Sequence, residues 1–139
     1  MRFFVDTNIF LRTLIKEDEE THKDCYKFLD AVRLNKIKAV TSHVVLAEIA
    51  LTLSSYYGFS KKKVSQALKG IINLRGLAFS DSYQAITALA MFERKPVKFI
   101  DALLASIEEI SEKEWKVVSY DRDFDRLGVA RAEPKEITP

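Results

Sequence analysis

The chain is poor in the residues that staple or punctuate small folds. Its 139 residues include a single cysteine, Cys25, so neither an internal disulfide nor a CxxC metal knuckle can form. A lone thiol is expected to pack as a small hydrophobe, and its solitude fits a reducing compartment. Four glycines, Gly58, Gly70, Gly76 and Gly128, build neither GxGxxG nor GxxxxGK[ST], which excludes the usual nucleotide-cradling loops. His22 and His43 make no HExxH, and no GxSxG elbow offers a nucleophilic serine. No uninterrupted apolar run approaches about 18 residues, so no membrane span is expected. The charge at Asp6 cuts short the apolar start Phe3-Phe4-Val5, so no signal peptide is expected either, and a cytoplasmic location follows as the expectation. Neither sign of charge dominates. Lys and Arg number 22 against 20 Asp and Glu, a net charge of +2, so contact with a polyanion must rely on local clusters.

What the chain does have is apolar material, 47% of its residues, in a length suited to one domain. Short runs rich in strand formers, Phe3–Val5, Ile37–Thr41, Leu77–Phe79 and Lys116–Ser119, alternate with amphipathic stretches at helical spacing. Helices are expected over Thr7–Ile15, Glu19–Asn35, His43–Tyr57 after the N-cap Ser42, and the stretch from Ser60 to about Asn73. Two more are expected, one ending near Glu93 and begun by an Asp81/Gln84 capping box, the other running from Ile100 to Ser111. Asp121–Leu127 reads as a turn or short helix and Val129–Ala132 as a weak fifth strand. Such alternation predicts an α/β fold: a central, mostly parallel sheet of four or five strands with helices on both faces. One domain is expected over residues 1–132, followed by a loose polar tail over 133–139.

The informative residues are acids in apolar company. Asp6 follows the first strand directly, and Asp121 follows the fourth. Glu48 is the one charged residue between Ser42 and Ser60, with no lysine or arginine a helical turn away. Asp101 lies within Phe99-Ile100-Asp101-Ala102-Leu103-Leu104-Ala105. A buried, unpaired carboxylate costs several kcal/mol, so compensation must come from elsewhere in the fold or from a bound cation. Hard oxygen ligands of this kind suit Mg²⁺ or Mn²⁺. In open parallel sheets, ligands bind beyond the carboxyl ends of the strands, where Asp6 and Asp121 stand and where helix starts such as that of Asp101 also face. Asp81 also follows a strand, but its capping-box reading keeps it out of the site.

The ordered segments Val5-Asp6-Thr7-Asn8, Ala47-Glu48, Phe99-Ile100-Asp101-Ala102-Leu103-Leu104-Ala105 and Ser119-Tyr120-Asp121-Arg122-Asp123-Phe124 resemble PIN-domain nucleases, and more closely the VapC-type toxins of toxin–antitoxin pairs. The resemblance spans nearly the whole chain. It implies an acidic quartet of Asp6, Glu48, Asp101 and Asp121, with Asp123 as a further metal ligand and Asn8 and Ser119 as supporting polar residues. Ser119 stands where the family more often has threonine. The resemblance further implies an Mg²⁺- or Mn²⁺-dependent endoribonuclease that leaves 5′-phosphate and 3′-hydroxyl ends, forms a homodimer and is held by a protein antitoxin. Candidate contacts to the RNA backbone are Lys61, Lys62 and Lys63, the cluster Arg94, Lys95 and Lys98, and Arg122. Two other readings stay open at this level. One is a catalytically inactive binding module of the same fold. The other is a phosphatase or phosphotransferase with an aspartyl nucleophile, although Asp6-Thr7-Asn8 lacks the second acid that chemistry needs.

Overall fold

A computed structural model describes residues 1–139. Five strands, β1 (Arg2–Val5), β2 (Lys38–Thr41), β3 (Leu77–Phe79), β4 (Trp115–Val118) and β5 (Arg131–Ala132), form one sheet in the order β3-β2-β1-β4-β5. Every pairing is parallel. Consecutive residues on the central strands are buried together, Phe4 with Val5, Ala39 with Val40 and Val117 with Val118, so helices cover both faces. The helices are α1 (Thr7–Leu14), α2 (Glu19–Arg33), α3 (His43–Ser55), α4 (Lys61–Ile72), α5 (Ala85–Arg94), α6 (Phe99–Ala105), α7 (Glu108–Ser111), α8 (Asp123–Arg126) and α9 (Pro134–Ile137). None is long and apolar enough to cross a membrane.

The chain lays β1, β2 and β3 outward in one direction, then returns to place β4 on the other side of β1. The strand order therefore reverses between β1 and β4. Their carboxyl ends flank the crevice in which sheets of this kind bind ligands. Register fixes the details. Val5 lies opposite Val118, and the Asp6 amide donates to the Val118 carbonyl at 3.1 Å, carrying the pairing one residue past the strand.

Local chemistry explains most element ends. The Ser42 hydroxyl accepts from the Val45 amide at the start of α3, and Ser60 accepts from Lys63 at the start of α4. The expected capping box at α5 does not form. Asp81 turns instead to α3, where it accepts from the His43 amide at 2.9 Å and pairs with the His43 imidazole, while also accepting from the Tyr83 hydroxyl. The start of α5 is held from a distance: the Gln84 amide donates to Ser106 Oγ at 3.0 Å, and the same hydroxyl donates to the Leu103 carbonyl at 2.6 Å. Ser106 also marks where the single helix expected over Ile100–Ser111 breaks into α6 and α7, with Ile107 outside both helices. Residues 133–139, read from sequence as loose, carry the capped turn α9, which packs against α2 with Pro134 buried.

This rearrangement gives a direct test. Ser106→Ala leaves the Gln84 amide without its protein acceptor and should cost about 1 kcal/mol. Gln84→Ala should change stability by no more than about 0.5 kcal/mol, because that side chain caps nothing. Urea unfolding of the two variants distinguishes them. The reverse ranking would restore the capping box.

Candidate metal centre

Asp6 occupies the N-cap position of α1, but its carboxylate is not used as a cap. Instead Oδ2 accepts from the Ser119 hydroxyl at 2.6 Å and from Asn8 Nδ2 at 3.2 Å. Ser119, fully buried just past β4, is saturated: it donates to Asp6 and accepts from Asn8 Nδ2 at 3.0 Å and from the Asp121 amide at 2.9 Å. One hydroxyl thus ties the end of β1 to the end of β4. Asn8 completes the link by accepting from the Tyr120 amide through Oδ1.

Asp101 projects from the first turn of α6 and is only 2% exposed. Its Oδ2 is buried and accepts no hydrogen bond. Asp121 is held from below, Oδ1 accepting from the Asp123 amide at 2.9 Å. Asp123 opens α8 and is drawn in two directions, Oδ1 accepting from Arg126 at 2.6 Å and Oδ2 from the Lys98 amide at 3.4 Å. Carboxylate oxygens of Asp101, Asp121 and Asp123 lie within 4.8 Å of one another, an arrangement able to coordinate a divalent cation.

Asp6, Glu48, Asp101 and Asp121 line one small cleft of about 160 Å³, together with Thr7, Asn8, Leu11, Thr52 and Lys98. Glu48 reaches it from the middle of α3 and has no ion-pair partner, as its sequence surroundings imply. The four acids thus share one cleft, while the compact carboxylate group is made by Asp101, Asp121 and Asp123. Asn8 and Ser119 are in contact with the acids. The lysines at the head of α4 and the pair Arg94 and Lys95 are exposed and make no ion pair, and Arg122 is likewise exposed. Lys98 differs from these: its ammonium lies 3.0 Å from Asp121 Oδ2 and 3.7 Å from Asp101 Oδ2. The i, i+3 spacing of Lys98 and Asp101 was the available signal for that contact.

The electrostatics are those of crowded, dehydrated acids. Burial, with added repulsion from Asp6, pushes Asp101 up to about 9. Burial also raises Asp6 to about 6, against the lowering effect of the Ser119 hydroxyl. Asp121 shows the opposite balance. Burial would raise it, but the Asp123 amide and the Lys98 ammonium hold it below the usual carboxylate range. Two cations, Lys98 and Arg126, face five carboxylates, Asp6, Glu48, Asp101, Asp121 and Asp123. The buried Asp101 oxygen without a hydrogen bond, inside this negative excess, is what a hard cation would satisfy.

Comparisons with known proteins agree with this architecture. The profile of the PIN domain matches residues 3–130. No curated protein sequence matches the chain. Among solved structures, VapBC2 from Rickettsia felis, bound to a DNA fragment from its promoter, is similar with a TM-score of 0.65 at 22% identity, over 96% of this chain and 98% of that one. VapC20 from Mycobacterium tuberculosis, a sarcin–ricin loop cleaving toxin, gives 0.61 at 18% identity over 92% and 96%. FitAcB from Neisseria gonorrhoeae gives 0.67 at 18% identity over 97% and 99%.

The raised acids predict the pH dependence of stability in EDTA. Asp101 holds its proton up to about 9 in the folded chain but only to its ordinary value of 3.8 when unfolded. Between those limits the folded state binds more protons, so stability should fall as pH rises from about 4 towards about 9. Asp101→Asn should flatten that slope and melt at an equal or higher temperature than the parent at pH 8. Scanning calorimetry at pH 5 and pH 8 checks both. A parent chain that gains stability over that interval would refute the assignment.

Proposed function

Since the chain belongs to the PIN-domain family and carries an acidic metal-binding triad, we propose that it is an Mg²⁺- or Mn²⁺-dependent endoribonuclease, the toxin of a toxin–antitoxin pair. The observation that carries this reading is the buried Asp101 oxygen without a hydrogen bond, set in the Asp101, Asp121 and Asp123 group at the point where the strand order reverses. Asp101, Asp121 and Asp123 would hold the cation, with Asp6 and Glu48 facing the same cleft. Bound there, a divalent cation supplies Lewis acidity, bringing the ionisation of water near neutral pH and offsetting negative charge at phosphorus.

The rest is done by the chain's own groups. Ser119 and Asn8 hold the Asp6 carboxylate in one orientation. Asp6 and Glu48 are the carboxylates left to accept a proton from attacking water, and burial has already moved Asp6 towards the range a base needs near neutral pH. Arg122, beside Asp121 and exposed, and the lysines heading α4 are free to meet the phosphate backbone. No GxSxG serine and no cysteine or histidine lines the cleft, which suits direct attack by water. The similarity to VapC20, described as cleaving the sarcin–ricin loop, supports RNA over a small phosphate ester as substrate.

Partner surfaces fit the same reading. Leu51 and Tyr56, on and just past α3, are exposed, and Tyr56 stacks edge-on against the half-buried Tyr57. Ile86, Leu89 and Phe92 are exposed on α5. Such area needs cover, which we assign to a second copy of the chain and to an inhibitor protein.

Cleavage of a mixed RNA pool should require Mg²⁺ or Mn²⁺, stop in EDTA, and fall at least about 100-fold in Asp6→Asn and Asp101→Asn with no loss of melting temperature. Full activity in either variant would sink the assignment. Titrating Mn²⁺ into the stripped chain should raise the melting temperature, and no shift at millimolar metal would favour a metal-free binding module instead. Light scattering at micromolar concentration should give twice the chain mass, and Tyr56→Ser should weaken that pairing or inhibitor binding. A clean monomer in the parent chain would count against the dimer.

A further inference from the structure

Lys98 is anchored at its base and free at its tip. The preceding residue, Val97, is buried, and the Lys98 amide is tied to Asp123 Oδ2 just where α6 begins. The side chain beyond is 62% exposed, so its ammonium can leave the cleft for water without crossing protein. Yet it rests on two of the oxygens that a metal would use, Asp121 Oδ2 at 3.0 Å and Asp101 Oδ2 at 3.7 Å. The latter is the buried oxygen with no hydrogen bond. No other cation lies within ion-pair reach of Asp101 or Asp121. Arg126 is spent on Asp123, and Arg131 on Asp125, Glu133 and the Ser119 carbonyl.

We propose that Lys98 is a displaceable counter-ion of the acidic centre, which competes with the divalent cation for Asp101 and Asp121 and so sets the metal concentration at which the centre fills. The inference rests on the metal-centre reading above. Two cations cannot share those oxygens at contact distance without strong mutual repulsion, so binding of one requires withdrawal of the other. Apparent metal affinity is then reduced by the fraction of molecules in which the carboxylates are free of the ammonium. A doubly charged ion held by three carboxylates outcompetes a single ammonium once its concentration suffices. The exposed ammonium then stands at the mouth of the cleft.

The test needs no RNA. Mn²⁺ is titrated calorimetrically into the EDTA-stripped, desalted full chain and into Lys98→Gln, Lys98→Arg and Lys69→Gln, the last an exposed lysine on α4 that controls for net charge. Lys98→Gln should bind Mn²⁺ about tenfold more tightly than the parent, from loss of one cation at contact range. Lys69→Gln should stay within about twofold, and Lys98→Arg, which keeps the charge, within about threefold of the parent. In EDTA, Lys98→Gln should melt below the parent, and its melting temperature should rise further on Mn²⁺ addition. Equal or weaker Mn²⁺ binding by Lys98→Gln, beside measurable binding by the parent, would overturn the proposal and leave the metal centre standing. An equal gain in Lys69→Gln would overturn it too, by reducing the effect to net charge. If neither the parent nor Lys98→Gln binds Mn²⁺ at millimolar concentration, the metal centre itself fails and the proposal with it.

Discussion

Asp6 and Asp121 meet because β1 and β4 pair in parallel with Val5 opposite Val118. Most of the centre depends on that register. It sets Ser119 beside Asp6, so that one hydroxyl can serve both strand ends at once. A slip of one residue would turn Ser119 to the other face of the sheet and leave a buried carboxylate without its donor. The apolar residues that fix the register, Phe4, Val5, Val117 and Val118, are all fully buried, so the core and the site are specified by the same few positions. Because the fold holds these carboxylates close, their mutual repulsion is a standing cost that packing must offset.

That cost is distributed unevenly. Asp121 has an amide and an ammonium and stays ionised easily. Asp101 has neither hydrogen bond nor solvent on its inner oxygen and is pushed to about 9. Neighbouring carboxylates with such different environments take different roles. Asp121 is poised to act as a ligand for a cation, whereas Asp101 would become a good ligand only once a cation made its ionisation favourable. Asp6 lies between them, raised to about 6 and oriented by Ser119 and Asn8.

The parts readable from the residues alone were those set by local pattern and by burial. Apolar strand runs, helical spacing and the caps Ser42 and Ser60 gave four of the five strands and most of the helices, and the fifth appeared as a shorter β5. The acids stood out because each lies among apolar neighbours. What stayed hidden was decided by contacts distant in sequence. Asp81 and Gln84 have the spacing of a capping box, but Asp81 reaches across 38 residues to His43, where one carboxylate serves both the amide and the imidazole. The helical pattern that periodicity alone would continue breaks at Ile107, whose ψ of 127° leaves the helix, while the adjacent Ser106 hydroxyl serves the Gln84 amide 22 residues back. In both cases a donor left over at a helix start captured a side chain that local rules assigned elsewhere.

Lys98 shows the same limit from the side of charge. In sequence it belongs to a basic cluster with Arg94 and Lys95, and all three read as contacts to a polyanion. Arg94 and Lys95 end α5 with their side chains in water, whereas Pro96 and the buried Val97 redirect the chain so that Lys98 opens α6 over the carboxylates. A lysine at that helix start is disfavoured by the dipole, since the unpaired amides there carry partial positive charge. Its place is justified only by the acids in front of it, as for any cation held at the wrong end of a helix. The same reasoning separates it from Lys61, Lys62 and Lys63, which also head a helix but make no ion pair with a carboxylate, Lys63 lying instead over the Phe59 ring.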